Sequence, residues 1–299
     1  MLQLYIIAHL IFSVIQFLVG VLANGFIVVV NGTDLIRQRK MVPLDLLLCC
    51  LATSRIGLQM VTIYFNLVAL SLIEFSPVPG NFIIFMYVHA SEIWLATWLS
   101  VFYCAKIATI AHPLFFWLKL RISKLMPWLI CGTLIYTFLT SVFHRKHAWI
   151  ISQKSWLGFF SQNATTQVED VPVLQFALLV IEFIMPLLIF LISALLLVFS
   201  LGRHTQQMRS TATGTRHPGM SVYISALLSI LSFLVLYLSQ YMMAALVLSQ
   251  IFKIRNFIAL FCILLFSSYP SVHSVILILG NSKLKQNAKK FLLHSKCCQ

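Results

Sequence analysis

The sequence has 299 residues, of which 60% are hydrophobic and only 9% charged; its mean hydropathy is +0.95 and its formal net charge is +14. The charged fraction is far below the quarter that is typical of soluble domains, so composition excludes a soluble protein and predicts an integral membrane protein. Nucleic-acid binding is not indicated, because no basic patch is interleaved with a folded soluble module, and the positive charge is expected to anchor the chain at the inner leaflet.

Seven apolar stretches predict an all-α, seven-transmembrane helix bundle that forms a single domain over residues 1–299. Each stretch is long enough to cross a hydrocarbon core of about 30 Å, and each is too continuously apolar for a barrel strand. The first residues, MLQLYIIAHLIF, lack a basic region and a cleavage site, so they are interpreted as the first span and not as a signal peptide. The predicted spans are about 4–30, 44–72, 82–109, 126–143, 173–200, 222–250 and 257–279, followed by a tail over 280–299.

The distribution of basic residues predicts the orientation of this bundle. Fifteen of the 21 Lys and Arg residues lie after the first, third and fifth spans or in the tail, and five lie in the N-terminus and the other connections. The remaining one is Arg55. Because Lys and Arg concentrate on the cytoplasmic side of membrane proteins, the N-terminus is expected outside the cell and the C-terminal tail inside.

Two N-glycosylation sequons, at Asn31 and Asn163, fall on opposite sides of this topology. Asn31 lies at the predicted cytoplasmic end of span one, whereas Asn163 lies in the longest outside loop. Only Asn163 is therefore expected to carry a glycan. The seven cysteines all lie within spans or in the tail, so the sequence predicts no disulfide between outer loops.

Two opposite charges are expected to meet inside the bundle. Arg55 lies about 11 residues into span two and Glu92 about 10 residues into span three, which places both roughly 15 Å from their respective membrane faces. Each charge alone would cost on the order of 3 kcal/mol at this depth, so a structural or switching ion pair is favoured. In the alternative, hydroxyls and carbonyls of spans one and seven, from residues such as Asn24 and Ser271, satisfy Arg55 while Glu92 is neutral.

Four prolines mark the predicted helices. Pro43 and Pro127 are expected at helix starts, where proline is tolerated. Pro186 and Pro270 are expected inside spans five and seven, where they permit kinks.

Glu182 has no second cation at the midplane with which to pair. About nine residues into span five, it is expected either to be a hydrogen-bonding carboxyl of the core or to be the acidic partner of a cationic ligand.

The tail, KLKQNAKKFLLHSKCC, predicts a short amphipathic helix. Leu284, Ala288, Phe291 and Leu292 share one face, as in a helix that lies on the membrane surface. Palmitoylation of Cys297 and Cys298 is an open alternative, and the last four residues do not form a prenylation motif.

The sequence offers little support for an enzyme. His89 and Glu92 have the spacing of a helical metal site, but the third ligand would have to be His273, which is predicted at a different depth. No GxSxG, HExxH or P-loop motif occurs, and neither a cofactor nor a metal is expected. A transporter would show two related halves with interrupted helices, and no such pairing is seen.

Six blocks of sequence form a recognisable set: LATSR (51–55), WLATWLSVFYCAKIA (94–108), HPLFFWLKLRISKL (112–125), PLLIFL (186–191), FSLGRHTQQM (199–208) and HSVILILGNSKLKQNAKKFLLH (273–294). Together these blocks resemble the type 2 bitter taste receptor family of G protein-coupled receptors. The resemblance covers the whole chain. It implies a glycosylated, multi-pass plasma-membrane receptor that binds bitter small-molecule agonists and activates a heterotrimeric G protein of the gustducin class. A transporter or channel that uses the same bundle is the alternative.

The resemblance also implies a ligand pocket open to the outside. Relatives commonly carry Asn at the position of His89 and an aromatic residue or His at that of Gln240, so a ligand list cannot be transferred. For the apolar members, simple packing in the core is the competing interpretation. The implied ligand-contact residues are Asn66, Phe85, His89, Glu182, Gln240, Tyr241, Ile263 and Phe266.

At the opposite end, the resemblance implies a cytoplasmic cleft that receives the C-terminal helix of the G protein. Tyr103 stands at the base of span three, where other receptor families carry the arginine of a DRY motif. The residues that border the cleft in relatives match Tyr103, Lys106, His112, His204 and Met208. We interpret Asn24, Arg55, Glu92 and Ser271 as the internal network between the two ends.

Overall fold

A computed structural model describes residues 2–38, 42–70, 72–73, 79–108, 112–143, 173–211, 231–239 and 257–297. Every regular element in these ranges is α-helical, as predicted. The helices are α1 (Leu2–Gln38), α2 (Pro43–Ala69), α3 (Pro79–Ile107), α4 (Pro113–Phe143), α5 (Val173–Thr211), α6 (231–239), α7 (Phe257–Gly280) and α8 (Ser282–Cys297).

Five of these helices contain a segment that is long and apolar enough to cross a membrane. The segments are Tyr5–Ile36, Pro43–Val68, Phe115–Phe143, Glu182–Ser200 and Phe261–Gly280. Helix α3, at 29 residues, has the required length. Its middle carries the polar side chains of His89, Ser91 and Glu92. Most of the predicted sixth span, 222–250, lies outside the described residues.

Helix α3 contacts α2, α4 and α5, while α1 packs against α2 and α7. The core between these helices is apolar, with Leu47 and Leu51 of α2 beside Leu95 and Leu99 of α3. Large apolar side chains also cover the outside: Trp128 is 78% exposed. Such outward-facing apolar surfaces suit lipid, and polar groups are correspondingly found inside.

Pro127 was predicted at a helix start, and this prediction is wrong. Helix α4 begins at Pro113, so Pro127 lies within the helix and not at its start. The first three turns carry basic residues among apolar ones, and the helix continues through them. The other prolines lie as predicted: Pro43 begins α2, and Pro186 and Pro270 lie inside helices.

Candidate functional site

The predicted contact between Arg55 and Glu92 is present. Arg55 Nε of α2 donates to Glu92 Oε1 of α3 at 3.0 Å, and both side chains are 0% exposed. The same carboxylate oxygen accepts a hydrogen bond from the Tyr269 hydroxyl of α7 at 3.0 Å. Glu92 therefore joins three helices. A buried charge that keeps its partner avoids the penalty of an isolated one.

The remaining guanidinium nitrogens of Arg55 face α7. Nη1 lies 3.4 Å from Ser274 Oγ, and Nη2 forms a hydrogen bond with His273 Nδ1. Because a guanidinium can only donate, His273 Nδ1 must be the acceptor, so the imidazole is neutral with its proton on Nε2. The Ser274 hydroxyl in turn lies 2.7 Å from Asn24 Oδ1 of α1. Asn24 thus belongs to the network through Ser274, and not by touching Arg55.

Ser271 forms no hydrogen bond with Arg55, although one interpretation of the sequence made it a partner of that residue. Its hydroxyl accepts a hydrogen bond from Gln59 Nε2 and donates one to the Gln16 carbonyl, each at 2.7 Å. The reason is geometric, since Ser271 lies about one helical turn from Ser274 and therefore meets the next turn of α2.

These contacts form part of a regular polar ladder between α2 and α7. Arg55 faces Ser274 at 3.4 Å, Gln59 faces Ser271 at 2.7 Å, and Asn66 faces Ser267 at 2.8 Å. The two helices run antiparallel, so numbers rise along α2 as they fall along α7. Helix α1 adds His9, whose Nε2 lies 2.9 Å from Asn66 Oδ1. The ladder fixes the rotation and register of α2 against α7.

An aromatic cluster lies beside this ladder. The ring of His89 on α3 has its centroid 5.5 Å from Phe85, 5.6 Å from Phe183 of α5 and 6.0 Å from Phe266 of α7. The contact with Phe266 is stacked, with an interplanar angle of 17°. We call these four residues the His89 cluster. Aromatic rings from three helices therefore lie together, an arrangement that fits either the binding of a planar apolar ligand or simple packing of the core.

Comparison with known sequences bears on what this arrangement does. The sequence profile of the taste receptor protein (TAS2R) family matches residues 1–296. Taste receptor type 2 member 1 of Pan paniscus is 58% identical over 299 residues, covering all of both chains. Taste receptor type 2 member 119 of Rattus norvegicus is 47% identical over 298 residues, covering 100% of this chain and 88% of its own. Taste receptor type 2 member 2 of Homo sapiens is 33% identical and is covered over 97% of each chain.

The chain belongs to the type 2 taste receptor family. Membership confirms the family expected from the sequence blocks, and the high identity with member 1 agrees with the resemblance of GNSKLKQNAKKFLLHSKCCQ, SLGRHTQQMR and FFSQNAT to that member. The protein is accordingly a membrane receptor of the taste receptor class, and its polar ladder and His89 cluster are features of a receptor.

Within the described ranges, the predicted ligand residues of this taste receptor occupy several different places. Phe85, His89 and Phe266 lie together in the His89 cluster. Asn66 is buried in the polar ladder. Ile263 packs instead in a small apolar cluster with α1 and with Leu70, the residue just after α2. Gln240 and Tyr241 lie outside the described residues.

Glu182 faces α4 and not the His89 cluster. It is buried, and its Oε1 accepts a hydrogen bond from Thr140 Oγ1 at 2.6 Å. Phe183, the next residue, points to His89, so the two side chains leave α5 in different directions. Of the two interpretations of Glu182, the hydrogen-bonding core carboxyl matches this geometry.

At the other end of α3, the predicted G protein-contact residues are distributed along three segments. Tyr103 is half-buried against the core, whereas the exposed Lys106 places its ammonium 5.9 Å from the ring centroid of Phe102. His112 is exposed just before α4. His204 and Met208 belong to the last part of α5, and their side chains lie outside the description.

Lys283 was not singled out by the sequence, and it ties α8 to the bundle. Its ammonium lies 2.8 Å from both Asp34 Oδ2 and Asp45 Oδ2 and 3.1 Å from Asn31 Oδ1. Partial burial lowers the pKa of Lys283, but hydrogen bonds and charges from the two aspartates outweigh it, so the net pKa is raised. Leu284 is fully buried beside it. The tail is therefore docked, and not only a surface helix.

The contact also bears on the modification sites. Asn31 is 0% exposed and bonded to Lys283 within the bundle, which agrees with its exclusion as a glycosylation site. Asn163, the side chain of Cys297 and the whole of Cys298 lie outside the described residues.

Several residues of the polar ladder escaped the sequence analysis. Gln59, Tyr269, His273 and Ser274 all contact the ion pair or its neighbours. The spacing of polar residues could have revealed the ladder. Polar residues of α2 recur at 55, 59, 62 and 66, so they lie on one face of that helix, and the serines of α7 at 267, 271 and 274 lie on one face of α7.

Proposed function

We propose that this receptor binds bitter small molecules in a pocket open to the outside and activates a heterotrimeric G protein of the gustducin class from the plasma membrane. The single observation that supports the proposal best is the His89 cluster, because it presents three helices to one ligand and lies one helical turn from the buried ion pair.

Both α3 and α7 connect the His89 cluster to that ion pair. On α3, His89 precedes Glu92 by three residues, so the two lie on neighbouring turns of the same face. On α7, Phe266 precedes Tyr269 by three residues, and the Tyr269 hydroxyl donates to Glu92. A ligand that displaces either ring therefore acts on a residue adjacent to the Arg55–Glu92 contact.

The ion pair also reaches α6. His273 accepts from Arg55, and its ring centroid lies 4.6 Å from that of Phe233 on α6. Phe233 lies 4.5 Å from Phe190 of α5 by the same measure. A chain of contacts therefore runs from the His89 cluster through the ion pair to α6 and α5. We assign Asn24, Arg55, Glu92 and Ser271 to the internal network, with Ser271 acting through Gln59.

Activation requires that the ligand bind the active arrangement better than the resting one. A tenfold difference between the two affinities supplies about 1.4 kcal/mol toward the active state. We propose that this energy opens the tail end of the bundle between α3, α5 and α6. The opened cleft, bordered by Tyr103, Lys106, His112, His204 and Met208, then receives the C-terminal helix of the G protein.

The experiment is a calcium response to a panel of bitter compounds in cells that express the receptor with or without a gustducin-type G protein. We expect a response only when the G protein is present. A ligand-evoked current that does not depend on any G protein would support a channel or transporter instead.

The binding site is tested by His89→Ala with Tyr87→Ala as its matched control. Tyr87 lies on the same helix but packs edge-on against Phe138 of α4, with ring centroids 5.9 Å apart. An aromatic contact contributes about 0.5–1.5 kcal/mol, so His89→Ala should raise the EC50 of an active compound by up to about tenfold. Equal shifts in both variants, at equal surface expression, would contradict the assignment of the ligand to the His89 cluster.

We also propose that Asn163 carries an N-linked glycan. Asn163→Gln should increase the mobility of the receptor on a gel, as glycosidase treatment of the unaltered receptor should.

The alternative roles of Cys297 and Cys298 can be separated by metabolic labelling with a palmitate analogue, which Cys297→Ser/Cys298→Ser should abolish if the pair is acylated.

A further inference from the structure

A small polar cleft lies between α1, α2 and α7, next to the middle of the polar ladder. Its polar lining comes mainly from Ser13 and Gln16 of α1, Gln59 and Thr62 of α2, and Ser267 and Ser271 of α7. The space has room for about one water molecule. It is separate from the His89 cluster, and none of these residues lies on α3.

Three of the residues that line the cleft each carry an oxygen atom that has no hydrogen-bond partner within the protein: Ser13 Oγ, Gln16 Oε1 and Gln59 Oε1. Ser13 is 3% exposed and Gln59 2% exposed, so bulk solvent does not reach them freely. Buried polar groups are nearly always paired, because leaving one unpaired loses the hydrogen bonds it makes to water in the unfolded chain. Three such atoms around one space indicate a shared partner.

The orientation of the two amides follows from their other contacts. Ser271 donates its only proton to the Gln16 carbonyl, so it must accept from Gln59, which places Gln59 Nε2 toward Ser271 and Gln59 Oε1 toward the cleft. Gln16 Nε2 donates to the Leu264 carbonyl at 3.4 Å, which in the same way leaves Gln16 Oε1 free to accept. The occupant must therefore donate two hydrogen bonds and can accept one from the Ser13 hydroxyl.

Water meets this requirement and a metal cation meets it poorly. No carboxylate lines the cleft, and the guanidinium of Arg55 lies one helical turn from Gln59 on the same face of α2. A cation would be repelled there and would find only neutral oxygens. A water molecule offers two protons and a lone pair, which match two amide oxygens and one hydroxyl.

We propose that this cleft holds one ordered water molecule, which donates to Gln16 Oε1 and Gln59 Oε1 and accepts from the Ser13 hydroxyl. The water joins α1 to α2 at the level of the Gln59–Ser271 contact. It completes the middle of the polar ladder, where direct side-chain contacts leave three polar atoms unmatched.

The first test uses Ser13→Ala in the full-length receptor, purified in detergent or a nanodisc, with thermal unfolding as the measurement. If water binds the hydroxyl, the substitution removes a hydrogen bond and should lower the Tm by about 2–4 °C. Without water, it removes an unpaired buried hydroxyl, and the Tm should stay constant or rise. The comparison variant is Ser193→Ala, which removes a buried hydroxyl already bonded to the Ile189 carbonyl at 2.8 Å. A fall in Tm for Ser193→Ala alone would overturn the proposal.

A double-mutant cycle tests whether one molecule bridges the two helices. Ser13 and Gln59 form no hydrogen bond with each other, so coupling between Ser13→Ala and Gln59→Met should arise through the shared water. We expect the double variant to lose less Tm than the sum of the single losses. Strictly additive losses would show that no common partner exists.

The salt composition distinguishes water from a cation. At equal ionic strength, the Tm should be the same in sodium, potassium and choline chloride. A Tm that rises only in sodium chloride, and no longer rises in Ser13→Ala, would mean that a cation and not water occupies the cleft. A density map that resolves other internal waters should show a peak about 2.7–3.2 Å from both amide oxygens, and its absence would also refute the proposal.

Discussion

The Arg55–Glu92 pair offers a severe test of the structure, because removing one charge should destabilise the receptor far more than removing both. Both side chains are 0% exposed and 3.0 Å apart. Arg55→Ala leaves the Glu92 carboxylate without its cation, and Glu92→Ala leaves the guanidinium without its anion. Breaking a buried pair in this way typically costs about 3–5 kcal/mol. For a chain of this size the loss corresponds to a fall in Tm of roughly 10 °C.

Removing both charges should recover much of this loss. The double variant Arg55→Met/Glu92→Leu leaves no isolated charge, and replacing a buried pair by apolar side chains is often neutral or stabilising. The recovery should be incomplete here, since His273, Ser274 and Tyr269 also lose a hydrogen-bond partner. The charge swap Arg55→Glu/Glu92→Arg should likewise restore part of the stability.

The assay is thermal unfolding of the solubilised receptor, followed by fluorescence-detected size exclusion after heating, together with surface expression in cells. Arg121→Ala is the matched control, because Arg121 is exposed on α4 with its guanidinium 5.7 Å from the ring centroid of Trp117. It should change the Tm little. If the double variant is as unstable as the two single losses added together, the two charges do not interact and the depth argument is wrong.

Two further substitutions test the packing around the ladder and the docking of the tail. Gly20→Ala would bring a methyl group into the Gln59 amide and should lower the Tm by several degrees, whereas Gly25→Ala, with open space around it, should be nearly neutral; equal effects in thermal unfolding would contradict the close approach. Lys283→Met should release α8, measured as faster hydrogen exchange over 282–297. Because the pKa of Lys283 is raised, its stabilising contribution is complete below the ordinary Lys value and is lost only as pH rises through the folded pKa. The protection factor over 282–297, which corrects for the intrinsic rise of the exchange rate with pH, should therefore fall at alkaline pH and not near pH 5. Exchange that speeds up on acidification instead would mean that other groups hold α8.

Sequence reasoning found the ion pair because the membrane makes depth readable from residue number. A helix rises by a fixed distance per residue, and an isolated charge is costly at the midplane, so Arg55 and Glu92 could be matched without a structure. The remaining ladder residues are uncharged, so burying them in the membrane has no comparable free-energy cost that would reveal a partner. Gln59 and Ser274 are neutral, and a single serine or glutamine on an apolar helix predicts no particular partner.

The His89 cluster shows a different limit. Motif resemblance placed Phe85, His89 and Phe266 near one another, but it also grouped them with Asn66, Ile263 and Glu182, which face other neighbours. Which way a side chain leaves its helix depends on rotation about the helix axis, and a rotation of one residue position redirects it by about 100°. That rotation is set by packing between helices, so it could not be predicted from the motif.

The polar ladder explains how such a rotation is fixed in an apolar solvent. Lipid tails are as apolar as leucine, so burying apolar side chains between helices gives little preference for one face over another. Hydrogen bonds between helices do discriminate, at about 0.6–2 kcal/mol each. Turning α2 by one residue position would break the contacts of Arg55, Gln59 and Asn66 with α7 together. The same side chains that connect the His89 cluster to α6 therefore also hold the helices of the bundle in register. A conformational change transmitted through these side chains must keep the contacts between α2 and α7 in the same order.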